Sequence, residues 1–95
     1  MLIPFVYTHD DLRVWVLACI AKFHGSAEEL NPARFVLYDS RGNERLTVVL
    51  DGSGCILANI FGDEKDCPTN TFEELCAIMR SAMLLPVFAR QQQRL

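Results

Sequence analysis

The 95-residue chain lacks several features that would assign it to a familiar class of protein. Its longest apolar run, from Val14 to Ala21, is far shorter than the roughly 20 residues that cross a bilayer. Residues 1–5 lack the basic region of an export signal, and the chain has no internal repeat or low-complexity segment. We therefore expect a single cytoplasmic domain over residues 1–95, without a membrane partner and with a frayed tail at 87–95.

The spacing of cysteine and histidine is not that of a metal site. Structural zinc sites use pairs separated by only a few residues, whereas neighbouring cysteines here are nine or more residues apart. Cys19 and His24, the nearest mixed pair, lie about 140° apart around a helix and cannot readily share an ion. The glycine-rich stretch Asp51–Gly54 lacks the Lys and Ser/Thr of a phosphate loop. We predict no metal, no cofactor and, in a reducing compartment, no disulfide.

Positive charge is scarce, and negative charge is concentrated in one segment. The net charge of −3 argues against nonspecific binding of nucleic acid, which requires clustered Lys and Arg. Residues 63–74 contain one basic residue, Lys65, and five acidic ones: Asp63, Glu64, Asp66, Glu73 and Glu74. They suit either a solvated loop followed by the first turn of a helix, or a surface for a basic protein partner.

Three short segments in the middle of the chain alternate apolar and other residues, which is typical of strands with one buried face. They cover about Arg34–Tyr38, Arg45–Leu50 and Cys55–Phe61, and the turns 40–43 and 51–54 join them. Connections this short predict a three-stranded antiparallel meander. We interpret residues 25–33 as a polar connection with one helical turn around 27–30, and residues 62–70 as an acidic loop.

A helix is predicted on each side of this meander. The first runs from about His9 to His24, with Thr8 as N-cap and Gly25 as C-cap. The second starts at the capping box 71–74 and continues to about Leu85, before Pro86. The fold class is therefore α+β, in the order α-β-β-β-α, and residues 1–7 could add an N-terminal edge strand.

Apolar side chains cover two sides of the first helix. One stripe, which we expect in the core, contains Leu12, Trp15, Val16, Cys19, Ile20 and Phe23. The other contains Val14, Leu17, Ala18 and Ala21. A helix that is apolar nearly all round is buried nearly all round, so either the second helix or another molecule must cover this second stripe.

These patterns favour a non-catalytic protein-interaction module: a small cytoplasmic regulator or inhibitor, such as a phage-encoded inhibitor of a host complex, that occupies a partner's surface. The second stripe predicts a homodimer. The alternative is a small thiol-dependent enzyme or ligand-binding domain that uses Cys67 with His9 or His24, since such pairs meet in space rather than in sequence.

Overall fold

Two helices cover one face of a five-stranded antiparallel sheet. The computed structural model of the chain describes residues 6–63 and 65–86. The helices are α1 (His9–Phe23) and α2 (Phe72–Met83). The strands are β1 (Ser26–Asn31), β2 (Arg34–Tyr38), β3 (Glu44–Leu50), β4 (Ile56–Ile60) and β5 (Cys67–Thr69). The sheet order is β1-β2-β3-β4-β5, which confirms the α+β class.

The central strands of the predicted meander are confirmed, with bounds within one residue of those expected. In their register Phe35 stands opposite Val48, and Val48 opposite Ala58, so one row of side chains crosses three strands. This face carries the core, which both helices complete. The buried side chains of the cluster are Leu12, Val16, Cys19, Phe35, Leu37, Leu46, Val48, Ile56, Ala58, Leu75, Met79 and Ala82.

The prediction of three strands is wrong, because the sheet has five. Strand β1 occupies the segment expected to be a polar connection with a helical turn, and β5 lies in the expected acidic loop. All residues of β1 except Ala27 are exposed, so the strand depends on backbone pairing with β2 rather than on an apolar face. The side chain of Asn31 accepts a hydrogen bond from the backbone N–H of Ala33 (2.8 Å), and this turns the chain into β2.

The helix caps follow the predicted chemistry with small shifts at the C-terminal ends. The Thr8 hydroxyl accepts from the N–H of Asp11 (3.2 Å), and the Asp11 carboxylate accepts from the N–H of Thr8 (2.9 Å). Helix α1 ends with His24 in the left-handed region rather than at Gly25, and α2 ends at Met83 rather than near Leu85. Of the predicted N-terminal edge strand, residues 1–5 lie outside the described residues, as does the tail 87–95.

A buried ion pair fastens the β2–β3 hairpin to the end of α2. The side chains of Asp39 and Arg45 are 7% and 6% exposed, and Arg45 Nε donates to Asp39 Oδ2 (2.9 Å). Arg45 Nη1 donates to the carbonyl oxygens of Ala82 (3.1 Å) and Leu85 (3.0 Å). The guanidinium thus satisfies carbonyls at a helix C-terminus, where positive charge is favourable.

Candidate functional site

The outward face of α1 is an exposed apolar surface. It consists of Val14 (62% exposed), Leu17 (54% exposed), Ala18 and Ala21, and we call these four residues the α1 outer face. Large apolar side chains are ordinarily exposed singly, whereas these lie side by side on one helix. These are the four residues of the predicted self-association stripe, and their contact with a second copy stays a prediction.

Helix α2 meets α1 on other sides and leaves the α1 outer face uncovered. The Trp15 ring packs edge-on against Phe72, with ring centroids 6.4 Å apart. The Arg80 guanidinium lies 5.8 Å from the centre of the Phe23 ring. Both Trp15 and Phe23 belong to the first, core-facing stripe. The interpretation in which α2 covers the second stripe is therefore wrong for the described chain.

Opposite charges flank the α1 outer face at its two ends. Asp10 and Asp11 lie in the first turn of α1, and Lys22 lies in the last turn, next to the exposed His24. Among the described residues, the side chains of Asp10 and Lys22 form no ion pair, whereas Arg13 pairs with Glu29 at 2.8 Å. These charges stabilise α1, because acidic side chains are favourable at the positive N-terminal end of the helix dipole and basic ones at its negative C-terminal end.

The described acids of the predicted partner-binding set differ in their hydrogen bonds. Asp63 Oδ1 accepts from the N–H of Lys65 (3.1 Å), and Glu74 Oε2 accepts from the N–H of Asn70 (2.6 Å). Asp66 and Glu73 are exposed, and their side chains have no hydrogen bond to any described residue. Glu64 lies outside the described residues. Among the described acids of this set, Asp66 and Glu73 are thus the ones whose carboxylates accept no hydrogen bond from a described residue.

Asp66 borders a shallow depression on the sheet face that the helices leave uncovered. The depression has a volume of about 270 Å³, and Val49 and Leu57 contribute its apolar part. Arg34 also lines it, and no ion pair joins Arg34 to Asp66 in the described structure. The free guanidinium partly offsets the negative charge that the sequence suggested for this region.

The residues proposed for thiol chemistry form no hydrogen-bonded pair within the described part of the chain. Cys67 lies in β5, half-buried opposite Ala58, and within the described residues its thiol has no hydrogen bond to His9 or His24. The two histidines are separated by the whole length of α1, about 22 Å. In the described part of the chain, no three His, Cys, Asp or Glu side chains form a group that could hold a metal ion.

Cysteine burial differs from site to site. Cys19 and Cys76 are buried, Cys67 is half-buried and Cys55 is exposed, and all four carry free thiols. Burial, and after it the neighbouring Cys76, raise the pKa of the Cys19 thiol to about 12. Because the thiolate is the reactive form, Cys19 behaves as a small apolar side chain.

Comparison with protein-family models, with curated proteins and with solved structures finds no significant match to this chain. Neither of the two described helices has the length and apolar character that a bilayer crossing requires.

Proposed function

We propose that this protein is a non-catalytic interaction module: a small cytoplasmic regulator or inhibitor that acts by occupying a surface of another protein and that forms a homodimer. The observation that carries the proposal is the exposed α1 outer face. Small size and net negative charge fit a phage-encoded inhibitor of a host complex.

The free energy available from covering this face supports self-association. Burial of apolar surface contributes about 25 cal/mol per Å². Val14 and Leu17 supply most of that surface, while Ala18 and Ala21 let another backbone approach closely. Two-fold dimers are the commonest protein oligomers, because one self-complementary surface is used twice.

The acidic residues suit a basic partner at a separate place on the molecule. Asp66 and Glu73 offer carboxylates without hydrogen-bond partners among the described residues, close to either end of the β5 segment. Complementary charge chiefly accelerates association and selects the partner, whereas apolar contacts supply most of the affinity. A regulator built in this way needs no catalytic group.

Sedimentation tests the self-association directly. We expect wild type at about 50 µM to sediment as a dimer, a weak one because an interface of a single helix is small. Leu17→Glu should give a folded monomer. Leu30→Glu is the matched control, since Leu30 is 52% exposed but lies in β1, and it should remain dimeric. A monomeric wild type would refute the homodimer.

Charge reversal tests the partner surface. A protein captured from the native host lysate by wild type should be lost with Asp66→Lys or Glu73→Lys, each with its circular dichroism unchanged. Glu28→Lys is the control, because it makes the same charge change in β1, at the opposite edge of the sheet. Equal loss in all three variants would indicate nonspecific charge attraction. Alkylation of Cys67 that abolished a measured activity would instead favour the thiol-dependent alternative.

A further inference from the structure

We propose that two copies of the chain pair through the α1 outer face in antiparallel orientation, about a two-fold axis that passes beside Leu17. This inference rests on the proposed self-association and adds the arrangement of the two helices. It follows from the positions of four apolar residues around α1 and from the charges at its two ends.

The apolar residues form a pattern that a perpendicular two-fold axis satisfies. Successive residues of a helix are rotated by about 100°, so Val14 and Ala21 lie along the centre of the face, with Leu17 on one flank and Ala18 on the other. A two-fold axis perpendicular to α1 places the same flanks of the two copies side by side. Val14 then meets the second copy's Ala21, twice by symmetry, and the bulkier side chain faces the smaller one.

The same axis brings the flanking residues together with their own counterparts. Leu17 contacts the second copy's Leu17 on one side of the axis, and the two Ala18 residues approach on the other. The exposed half of the Leu17 side chain is covered in this arrangement, and the small Ala18 lets the helices come close. Every large exposed residue of the face thereby gains an apolar neighbour.

Charge decides between antiparallel and parallel helices. In the antiparallel pair, Asp11 of each copy lies on the same flank as the second copy's Lys22, and Asp10 lies near the second copy's His24. A parallel pair would instead stack the two acidic turns on each other and the two Lys22 residues on each other. The helix dipoles also attract in the antiparallel pair and repel in the parallel one. Asp10, Asp11 and Lys22 form no ion pair among the described residues, although the Asp11 carboxylate also accepts the cap hydrogen bond from the N–H of Thr8.

Disulfide trapping tests the arrangement in a Cys55→Ser, Cys67→Ser background, which removes the two thiols that are not buried. A disulfide requires Cα atoms within about 7 Å. In the antiparallel pair, the two copies of residue 14 are offset by about 10 Å along the helices, whereas residue 14 of one copy lies next to residue 21 of the other. We therefore expect a mixture of Val14→Cys and Ala21→Cys to cross-link at least tenfold faster than either variant alone, with oxidised glutathione as the oxidant.

The outcomes separate this inference from the proposal on which it rests. Val14→Cys that cross-links with itself as fast as the mixture would overturn the antiparallel arrangement. Wild type could sediment as a dimer while the mixture cross-links no faster than the exposed control Leu30→Cys. That result would also overturn the antiparallel arrangement, but it would leave self-association in place. A monomeric wild type would overturn both. Circular dichroism of each variant is the control for an intact fold.

Discussion

Replacing Asp39 by Asn should destabilise the protein strongly at neutral pH and much less near pH 2. The carboxylate accepts hydrogen bonds from the backbone N–H groups of Arg41 and Asn43 (both 2.9 Å) and from the Arg45 guanidinium. An amide in its place leaves Arg45 buried without a counter-charge. Removing one partner of a buried ion pair typically costs about 3–5 kcal/mol, and we expect a loss at the lower end of that range.

The dependence on pH follows from the pKa of Asp39. Burial by itself would raise this pKa, but the hydrogen bonds from Asn43, Arg45 and Arg41 together outweigh burial and lower it from 3.8 to about 2. At 1.36 kcal/mol per pKa unit, the ionised carboxylate contributes about 2 kcal/mol to the free energy of unfolding. Because the pKa is lower in the folded than in the unfolded state, this contribution is complete above about pH 5 and disappears as the pH falls toward 2.

Urea unfolding at pH 7, 5, 3 and 2 measures the effect. The difference in unfolding free energy between wild type and Asp39→Asn should be constant from pH 7 to 5 and shrink by about 2 kcal/mol at pH 2. Asp66→Asn is the matched control, because Asp66 is exposed and its side chain has no hydrogen bond among the described residues; it should change stability by less than about 0.5 kcal/mol at every pH. A wild-type-to-Asp39→Asn difference that did not vary with pH would refute the reasoning.

Two further predictions concern close packing and thiol reactivity. Gly25→Ala should destabilise the protein by about 1–3 kcal/mol in thermal unfolding, because a Cβ at Gly25 would lie 2.1 Å from the Tyr38 carbonyl oxygen. Gly52→Ala is the control and should be nearly neutral, because a Cβ there meets nothing within 4 Å. Equal effects of the two substitutions would contradict the close approach at Gly25. In iodoacetamide labelling at pH 8, Cys55 should react quickly and Cys19 only when the protein unfolds. The reason is that the Cys19 thiol is fully buried and has a pKa of about 12. Similar rates for the two thiols in the folded protein would contradict this prediction.

The sequence predicts the parts of the fold that have strong apolar patterns. Strands β2, β3 and β4 alternate core and non-core side chains, so their existence and their antiparallel pairing follow from pattern and turn length. Strand β1 has no such pattern, because only Ala27 among its residues faces the core cluster. The turn around Pro32, preceded by Asn31, was the one local signal of a hairpin there.

The sequence predicts which residues share a surface, but it does not predict which surfaces the rest of the fold covers. The period of 3.6 residues groups Val14 with Leu17, yet which side of α1 the second helix covers depends on contacts such as that of Trp15 with Phe72. The role of Arg45 was missed. The sequence places Arg45 at one end of a hairpin, near Asp39 and Glu44, but it does not show that the end of α2 and an irregularity in the pairing of β2 with β3 enclose the side chain.

The edges of the sheet have a consequence for aggregation. Within the described residues, β1 and β5 each have one unpaired side, and such sides can template the addition of a strand from another chain. If two β1 strands paired antiparallel, Glu28 and Glu29 of one chain would lie opposite or beside the same residues of the other, and the like charges would repel. The register shift after Glu29 also bends the strand. At the other edge, β5 is only three residues long, and Pro68 in its centre has no N–H to donate. Fibril growth by edge-to-edge stacking is therefore disfavoured at both ends of the sheet, even in a chain whose apolar content reaches 51%.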